Sequence, residues 1–456
     1  MMENLKDTIV VDFAKSCGKI KPMHSVNNAP VYKFAADQRI TNIESWREAG
    51  IPYGRTHDAS FYSTYGGEHT VDVNMIFTDW SRDADDPDAY DFVLTDEYLD
   101  MMEAGGTKTF YRLGSKIEHW QKKYNTLPPK NFQKWAAVCE HIIRHCNEGW
   151  ANGKHRNIEY WEIWNEPDLD PDDSTHKRCW GGTRLQFYEL FNVTFKHLKS
   201  CFPNLKIGGP AVASLKEEWV GGFFKNLQEN DLHPDFFSWH VYSATVEKPR
   251  RLIRAVRSWM NEYGLENAES ILNEWNYVKG WTGDIWIESL KTEKNLKGSA
   301  FIASVMLMSQ QEPLDMLMYY DARPGGMNGL YCTDRIYECL KGYYPFYMFN
   351  RLYRDGTSVE AVQESEDVWA AASIGESRHV MLSYYNDDDN APEKTVKVTY
   401  KNVDSEKGVR LSYYCLDADH DCELVREEIF TSDRFSLYLT MPLHSTVMIK
   451  IENAEI

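Results

Sequence analysis

The chain has 456 residues, 43% hydrophobic and 14% aromatic, enough for one large domain with a substantial core plus a smaller one. Its 50 basic and 69 acidic residues leave a net charge of −19, which disfavours nucleic acid and anionic lipid as partners. No apolar run reaches the ~18 residues of a membrane span; "MMENLKDTIVVDFAKSCGKI" lacks the basic-then-apolar pattern of a secretion signal, and nine cysteines in that setting fit reduced thiols in a cytoplasm.

An early apolar run, "TIVVDF", reads as a strand ahead of the main domain. Eight strand candidates then follow in order: "MHSVNN", "IPYGRTHD", "TKTFYRLG", "IEYWEIWNE", "LKIGGPAVA", "FFSWHVYS", "SILNEWNY" and "LDMLMYYDARP". Between them lie stretches of helical period. In "NFQKWAAVCEHIIRHCNEGW", Trp135, Cys139, Ile142, Ile143 and Cys146 share one face. Strand and helix alternating to about residue 350 imply an α/β fold with a parallel sheet, and eight such units imply a (β/α)8 TIM barrel. After residue 355 the pattern changes to short strands, "VWAAASI", "HVMLSYYN", "KTVKVTY", "VRLSYYCL", "RFSLYLT" and "STVMIKI", the texture of a β-sandwich. The expected division is 1–20 for an N-terminal strand joining the sandwich, 21–354 for the barrel and 355–456 for the sandwich. The sandwich has three candidate roles: bracing the barrel, completing a neighbour's pocket in a homo-oligomer, or binding glycan itself.

In a barrel of this type, reactive side chains sit at the C-terminal ends of the strands. Glu166 follows the fourth strand in "YWEIWNEPDL" and Glu274 ends the seventh in "LNEWN". A carboxyl group at the mouth among aromatic residues is poorly hydrated, the condition for a general acid. Pro167 is expected to bias Glu166 toward extended backbone. Two facing glutamates form a glycosidase pair, one protonating the departing oxygen and the other attacking the anomeric carbon or activating water. Period-two spacing puts Arg55 with His57, and His240 with Tyr242, on one face of their strands. Arg55 and Tyr242 are placed to donate to an ionised Glu274. His57 is expected to donate to a sugar hydroxyl, His240 to reach Glu166, and Asn165 to bind the hydroxyl beside the reacting carbon. Asp321 and Arg323 after the eighth strand are candidate substrate contacts.

With these residues in view, the chain resembles clan A glycoside hydrolases, and within them family 39, which contains β-xylosidases and α-L-iduronidases. "SVNNAP", "RTHD", "WEIWNEPD", "SWHVYS" and "NEWN" fall in the family's order. The resemblance implies Glu166 as acid/base, Glu274 as nucleophile, retention through a covalent glycosyl-enzyme, and no metal or organic cofactor. An exo-acting enzyme on a short carbohydrate substrate is expected from the missing secretion signal, since a cytoplasmic enzyme meets imported small glycosides rather than polymers. The segment "YYDARPGGMNGLYC" departs from the corresponding β-xylosidase segment, and loops here help shape the sugar pocket.

Each motif also has a plainer reading. "NEP" alone is a surface turn, and a barrel of this kind without turnover is a carbohydrate-binding protein. In "CEHIIRHC", Cys139 and Cys146 share the apolar face while His141 and His145 are expected on the opposite, exposed side, so one ion does not collect all four. "DADHDCELVREE" has acids at calcium-loop spacing, but Cys422 stands where such a loop needs glycine, and a β-turn of the sandwich is the better account.

Overall fold

The computed structural model describes residues 7–35, 38–58, 70–403 and 408–454. Eight parallel strands close a barrel in sequence order: Ser25–Asn27, Tyr53–Arg55, Lys108–Leu113, Tyr160–Ile163, Lys206–Val212, Phe236–Ser243, Glu269–Tyr277 and Met316–Tyr319. Every strand expected for the barrel is present and carries the segment quoted for it. Helices return the chain between strands, among them Phe132–Glu148, Arg184–Cys201, Glu217–Glu229, Glu247–Glu262 and Leu296–Gln311. Local chemistry sets their ends. The Asn131 side chain accepts the Lys134 N–H, and Thr183 with Gln186 forms a reciprocal capping box. The chain leaves the barrel through the helix Tyr344–Asp355.

Chemistry is layered inside the barrel. At the N-terminal end, Phe110, Tyr160, Phe236, Ile271, Met316 and Met318 form an apolar plug. Toward the C-terminal end, Asn27, Arg55, Glu162, Asn273 and Glu274 are buried instead. The fifth strand crosses close to the fourth at Gly209, whose φ is +133° and where a Cβ would come within 2.8 Å of the Ile163 carbonyl oxygen, so only glycine fits.

The strands after the barrel, together with Thr8–Lys19 from the start of the chain, make one nine-stranded sheet. Thr8–Lys19 runs antiparallel to Thr357–Glu364 and parallel to Lys394–Lys401. Residues from both halves of this ladder share one core, including Val11, Ala370, Leu382, Val398, Leu411 and Ile449, so the sheet curls over itself into two layers. Alternation then decides the outer face: Val368, Ala370 and Ala372 enter this core, whereas Trp369 and Ala371 pack with the barrel's own core. Two strands, Thr357–Glu364 and Asp421–Phe430, were not expected. Asp421–Phe430 is an edge strand exposed along most of its length, and its charged residues hide its extended character. The acid-rich "DADHD" is the turn of the hairpin it forms with Val409–Leu416.

One expectation is overturned on the helix Phe132–Glu148. His141 and His145 are buried, not exposed. The segment before residue 96 and the turn at Trp150 cover that side: Phe92 stacks on His145 and Trp150 packs on His141. His145 Nδ1 lies 2.9 Å from the Trp150 carbonyl oxygen and Nε2 lies 3.2 Å from Asp96.

The end of the third strand is secured by an ion pair. Arg112, fully buried, donates to Asp72 at 2.5 Å, to the Ser115 carbonyl at 2.7 Å and to the His57 carbonyl at 2.9 Å. Removing one partner strands a charge in a dry interior. Asp72→Ala is therefore expected to destabilise the barrel by about 3–5 kcal/mol, measured by chemical denaturation followed through barrel tryptophan fluorescence. A loss below about 1 kcal/mol, the scale of an exposed pair, would show that the pair is dispensable.

Candidate active site

The fourth strand delivers Glu166 through a turn rather than an extended run. Trp164 has φ 76° and Glu166 φ 49°, which corrects the expectation that Pro167 keeps Glu166 extended. Tertiary hydrogen bonds override the local preference. The Glu166 N–H donates to the Ala211 carbonyl at 2.9 Å, and the Trp164 N–H donates to Leu113 at 2.8 Å. The Trp164 indole anchors the turn by donating to the Cys179 carbonyl at 2.9 Å. Left-handed backbone at two side-chain-bearing residues costs about 1–3 kcal/mol each and persists only when the surroundings fix it.

Arg55, at the end of the second strand, is the hub. Its Nε donates to Glu162 at 2.7 Å, Nη1 to Asn27 at 3.0 Å and to Glu274 at 2.8 Å, and Nη2 to Asn165 at 2.6 Å. Glu162 is itself fully buried and accepts further bonds from Ser238 at 2.6 Å and Asn273 at 2.5 Å. Glu274 is thus held on both oxygens. Oε1 receives Arg55 and lies 3.1 Å from His57 Nε2, while Oε2 accepts from the Tyr242 hydroxyl at 2.9 Å. Burial opposes the charge on Glu274, but His240, His57 and Arg55 outweigh it and hold the carboxyl well below the usual carboxylate range.

His240 joins the two glutamates. Its Nδ1 lies 2.9 Å from Glu166 Oε1 and 3.5 Å from Glu274 Oε2, and one oxygen of each carboxylate and one His240 nitrogen all lie within 4.8 Å of one another. The second oxygen of Glu166 accepts from the buried Cys179 thiol at 3.7 Å. Glu166, Glu274, Arg55, Asn165, His57, His240 and Tyr242 therefore form one connected network.

His57 takes a different part from the one expected. Its ring is committed to two carboxylates, Glu274 through Nε2 and Asp58 through Nδ1 at 3.4 Å, the latter an ion-pair contact without hydrogen-bond alignment. Burial disfavours the imidazolium, yet Asp58 and Glu274 together raise its pKa above 6.5. Asp58 connects onward to Arg323 at 3.2 Å, Lys116 at 3.4 Å and the Tyr320 hydroxyl at 3.2 Å. Asp321 lies beyond, accepting from Asn28 at 2.9 Å and from the Arg323 N–H at 2.5 Å. Burial pushes Asp321 up to about 6 against the pull of Arg323, while Asp58, equally buried but faced by His57, Arg323 and Lys116, falls well below the usual range. Asp321 and Arg323 thus reach the glutamates through Asp58 and His57.

Sequence reading missed Glu162, Asp58, Asn27 and Cys179. For Glu162 the signal was a charge inside an otherwise apolar strand; for Asp58 it was the residue beside His57. Three clusters among the described residues have the proximity to hold a metal ion: Glu140–His197–Cys201, Cys415–Asp417–His420 and Glu166–His240–Glu274. Glu140 is already paired with Arg144 and His197, Asp417 turns back onto its own loop, and Arg55 and His57 already counter the charge on Glu274 and would repel a cation.

A histidine whose folded value is raised adds stability that is complete below 6.5 and lost as pH rises through that value. The His57 imidazole is expected to titrate above 6.5 by NMR, and Glu274→Gln, which removes one of its two facing charges, is expected to lower the midpoint. A wild-type midpoint below 6.5 contradicts the ion-pair geometry.

Residues 67–278 match the family model for Glycosyl hydrolases family 39, a span that includes Glu166, His240, Tyr242 and Glu274 and leaves Arg55, His57, Asp321 and Arg323 outside. The chain is 26% identical over 201 residues to a beta-xylosidase of Geobacillus stearothermophilus, covering 42% of this chain and 37% of that protein. It is 25% identical over 252 residues to a beta-xylosidase of Caldicellulosiruptor saccharolyticus, covering 51% and 46%. The chain thus spans less than half the length of these curated relatives. In fold it is similar to a glucosidase from Croceicoccus marinus (TM-score 0.78, 18% identity, 98% of this chain and 99% of that one). It is also similar to a monomeric beta-xylosidase from Caulobacter crescentus (TM-score 0.69, 16% identity, 98% and 100%). These structural likenesses speak to the fold alone, and the sequence match adds a similarity to glycosyl hydrolase family 39 over residues 67–278.

Proposed function

We propose that the protein is a retaining glycoside hydrolase that removes a terminal sugar, β-xylosidase-like, from a short oligosaccharide or glycoside. The observation that carries this reading is the pair of carboxylates joined by one histidine: oxygens of Glu166 and Glu274 lie within 4.8 Å. Inversion needs about 6.5–9.5 Å between the two carboxyl groups to admit a water, whereas retention works at about 5–5.5 Å.

The two glutamates have opposite surroundings. Glu274, held ionised by Arg55, His57 and Tyr242, is the nucleophile. It attacks the anomeric carbon as the bond to the leaving oxygen breaks, and Glu166 gives that oxygen its proton. The glycosyl–Glu274 ester then forms, and the Tyr242 hydroxyl remains beside it. Glu166, now a carboxylate, takes a proton from water, whose oxygen attacks the anomeric carbon and releases Glu274. His240 donates to whichever carboxylate carries the charge, because its Nδ1 faces both. Asn165 spends its carbonyl oxygen on Arg55, which leaves its amide nitrogen to donate to the hydroxyl beside the reacting carbon. All nine cysteines are free thiols, which supports a reducing, cytoplasmic setting.

A panel of nitrophenyl glycosides tests the reading, including xylose, arabinose, glucose, galactose and uronic acids. The xyloside is expected to be cleaved best, with proton NMR showing retained configuration in the first-formed sugar. Glu166→Ala is expected to lower kcat/KM by about 10²–10⁴-fold on glycosides with poor leaving groups, and less on nitrophenyl leaving groups that need no proton. Inverted product would overturn the assignment of Glu274, and binding without release from any of the panel would favour a carbohydrate-binding protein.

A further inference from the structure

The rim of the site is chemically divided. Around strands eight, one, two and three the described residues are polar and interlocked: His57, Asp58, Tyr320, Asp321 and Arg323 are joined through hydrogen bonds and ion pairs. Around strands four to seven it holds Glu166, Tyr242 and, just beyond the seventh strand, Trp281. Trp281 is 56% exposed, yet its ring is braced on two sides. It meets Tyr242 edge-on at 4.9 Å and 79°, and stacks on Trp286 at 5.2 Å and 26°. Tyr242 in turn donates to Glu274 at 2.9 Å, so a single phenol ring separates the open indole from the nucleophile.

An exposed indole braced between two other rings offers an apolar contact face at the rim. Its negative ring face suits the weakly positive C–H face of a pyranose. The buried polar half has the donors and acceptors that read hydroxyls, which fits the sugar whose anomeric carbon meets Glu274. Trp281 is exposed and separated from Glu274 by the Tyr242 ring, which fits the departing part of the substrate. We propose that Trp281 is the floor of a subsite for the leaving-group sugar, so that the preferred substrate is a disaccharide or longer chain rather than a small aryl or alkyl glycoside. The proposal rests on the glycosidase reading above and adds the acceptor side of the substrate to it.

The test compares β-1,4-xylobiose with β-xylosyl fluoride, whose leaving group is a single atom too small to reach Trp281. Trp281→Ala is expected to lower kcat/KM on xylobiose by about 10- to 100-fold, the scale of one stacking contact, mostly through KM. Its effect on the fluoride is expected to be at least tenfold smaller, and Trp281→Phe is expected to recover most of the loss. Equal losses on both substrates would overturn the subsite and leave the ring as a brace for Tyr242. No loss on xylobiose would also overturn it. So would dissociation of an oligomer by Trp281→Ala in sedimentation, because the neighbouring exposed Ile285 and Ile287 would then mark a protein contact. A calorimetric titration separates this claim from the glycosidase reading: even without turnover, xylobiose is expected to bind the wild type more tightly than xylose, and Trp281→Ala to abolish the difference. A difference that survives the substitution would sink the subsite.

Discussion

A single buried guanidinium organises the upper half of this barrel. Arg55 reaches Asn27 on the first strand, Glu162 and Asn165 at the fourth and Glu274 on the seventh, so four strands from around the ring are tied at one point. A planar fork with five N–H donors satisfies such a set, and a lysine ammonium does not. Burying this cation is unfavourable unless carboxylates surround it. Glu162 meets that need from below and is itself capped by Ser238 and Asn273. Glu274 then becomes the carboxylate left facing the mouth, charged because of what lies beneath it.

The same arrangement explains why the two glutamates differ. Glu274 has charge-favouring partners on both oxygens, whereas Glu166 stands on a kinked turn with His240 and a neutral thiol beside it. The kink is part of the design of the site: Ala211 and Leu113 hold the backbone of residues 164–166 in a conformation its sequence would not choose alone. The apolar plug at the opposite end of the barrel supplies burial that offsets a polar interior. In this fold the polar, strained end is the C-terminal face, where loops of different length can vary without disturbing the plug.

The barrel was legible because parallel strands covered on both faces read as apolar runs, and their order is the order of the chain. The glutamates stood out because each is a charge at the end of such a run. What escaped reading depends on partners distant in sequence. Glu162 sits inside an apolar strand and has meaning only beside Arg55, 107 residues away. His57 reads from sequence as a sugar contact because Glu274, which its Nε2 meets, lies five strands further along the chain. The pre-proline rule for Glu166 failed to a hydrogen bond from another strand, and His141 and His145 were misplaced because amphipathic spacing cannot show a second covering layer. The missed edge strand is exposed, so it lacks the burial pattern that marks the others.

Glu274, prepared as an anion by Arg55, is the proposed site of the covalent bond to the anomeric carbon. Incubation with dinitrophenyl 2-deoxy-2-fluoro-β-xyloside, followed by proteolysis and mass spectrometry, measures this directly. One label per chain is expected, carried by the peptide containing Glu274 and on that side chain. A label on Glu166 or on any other residue would contradict it.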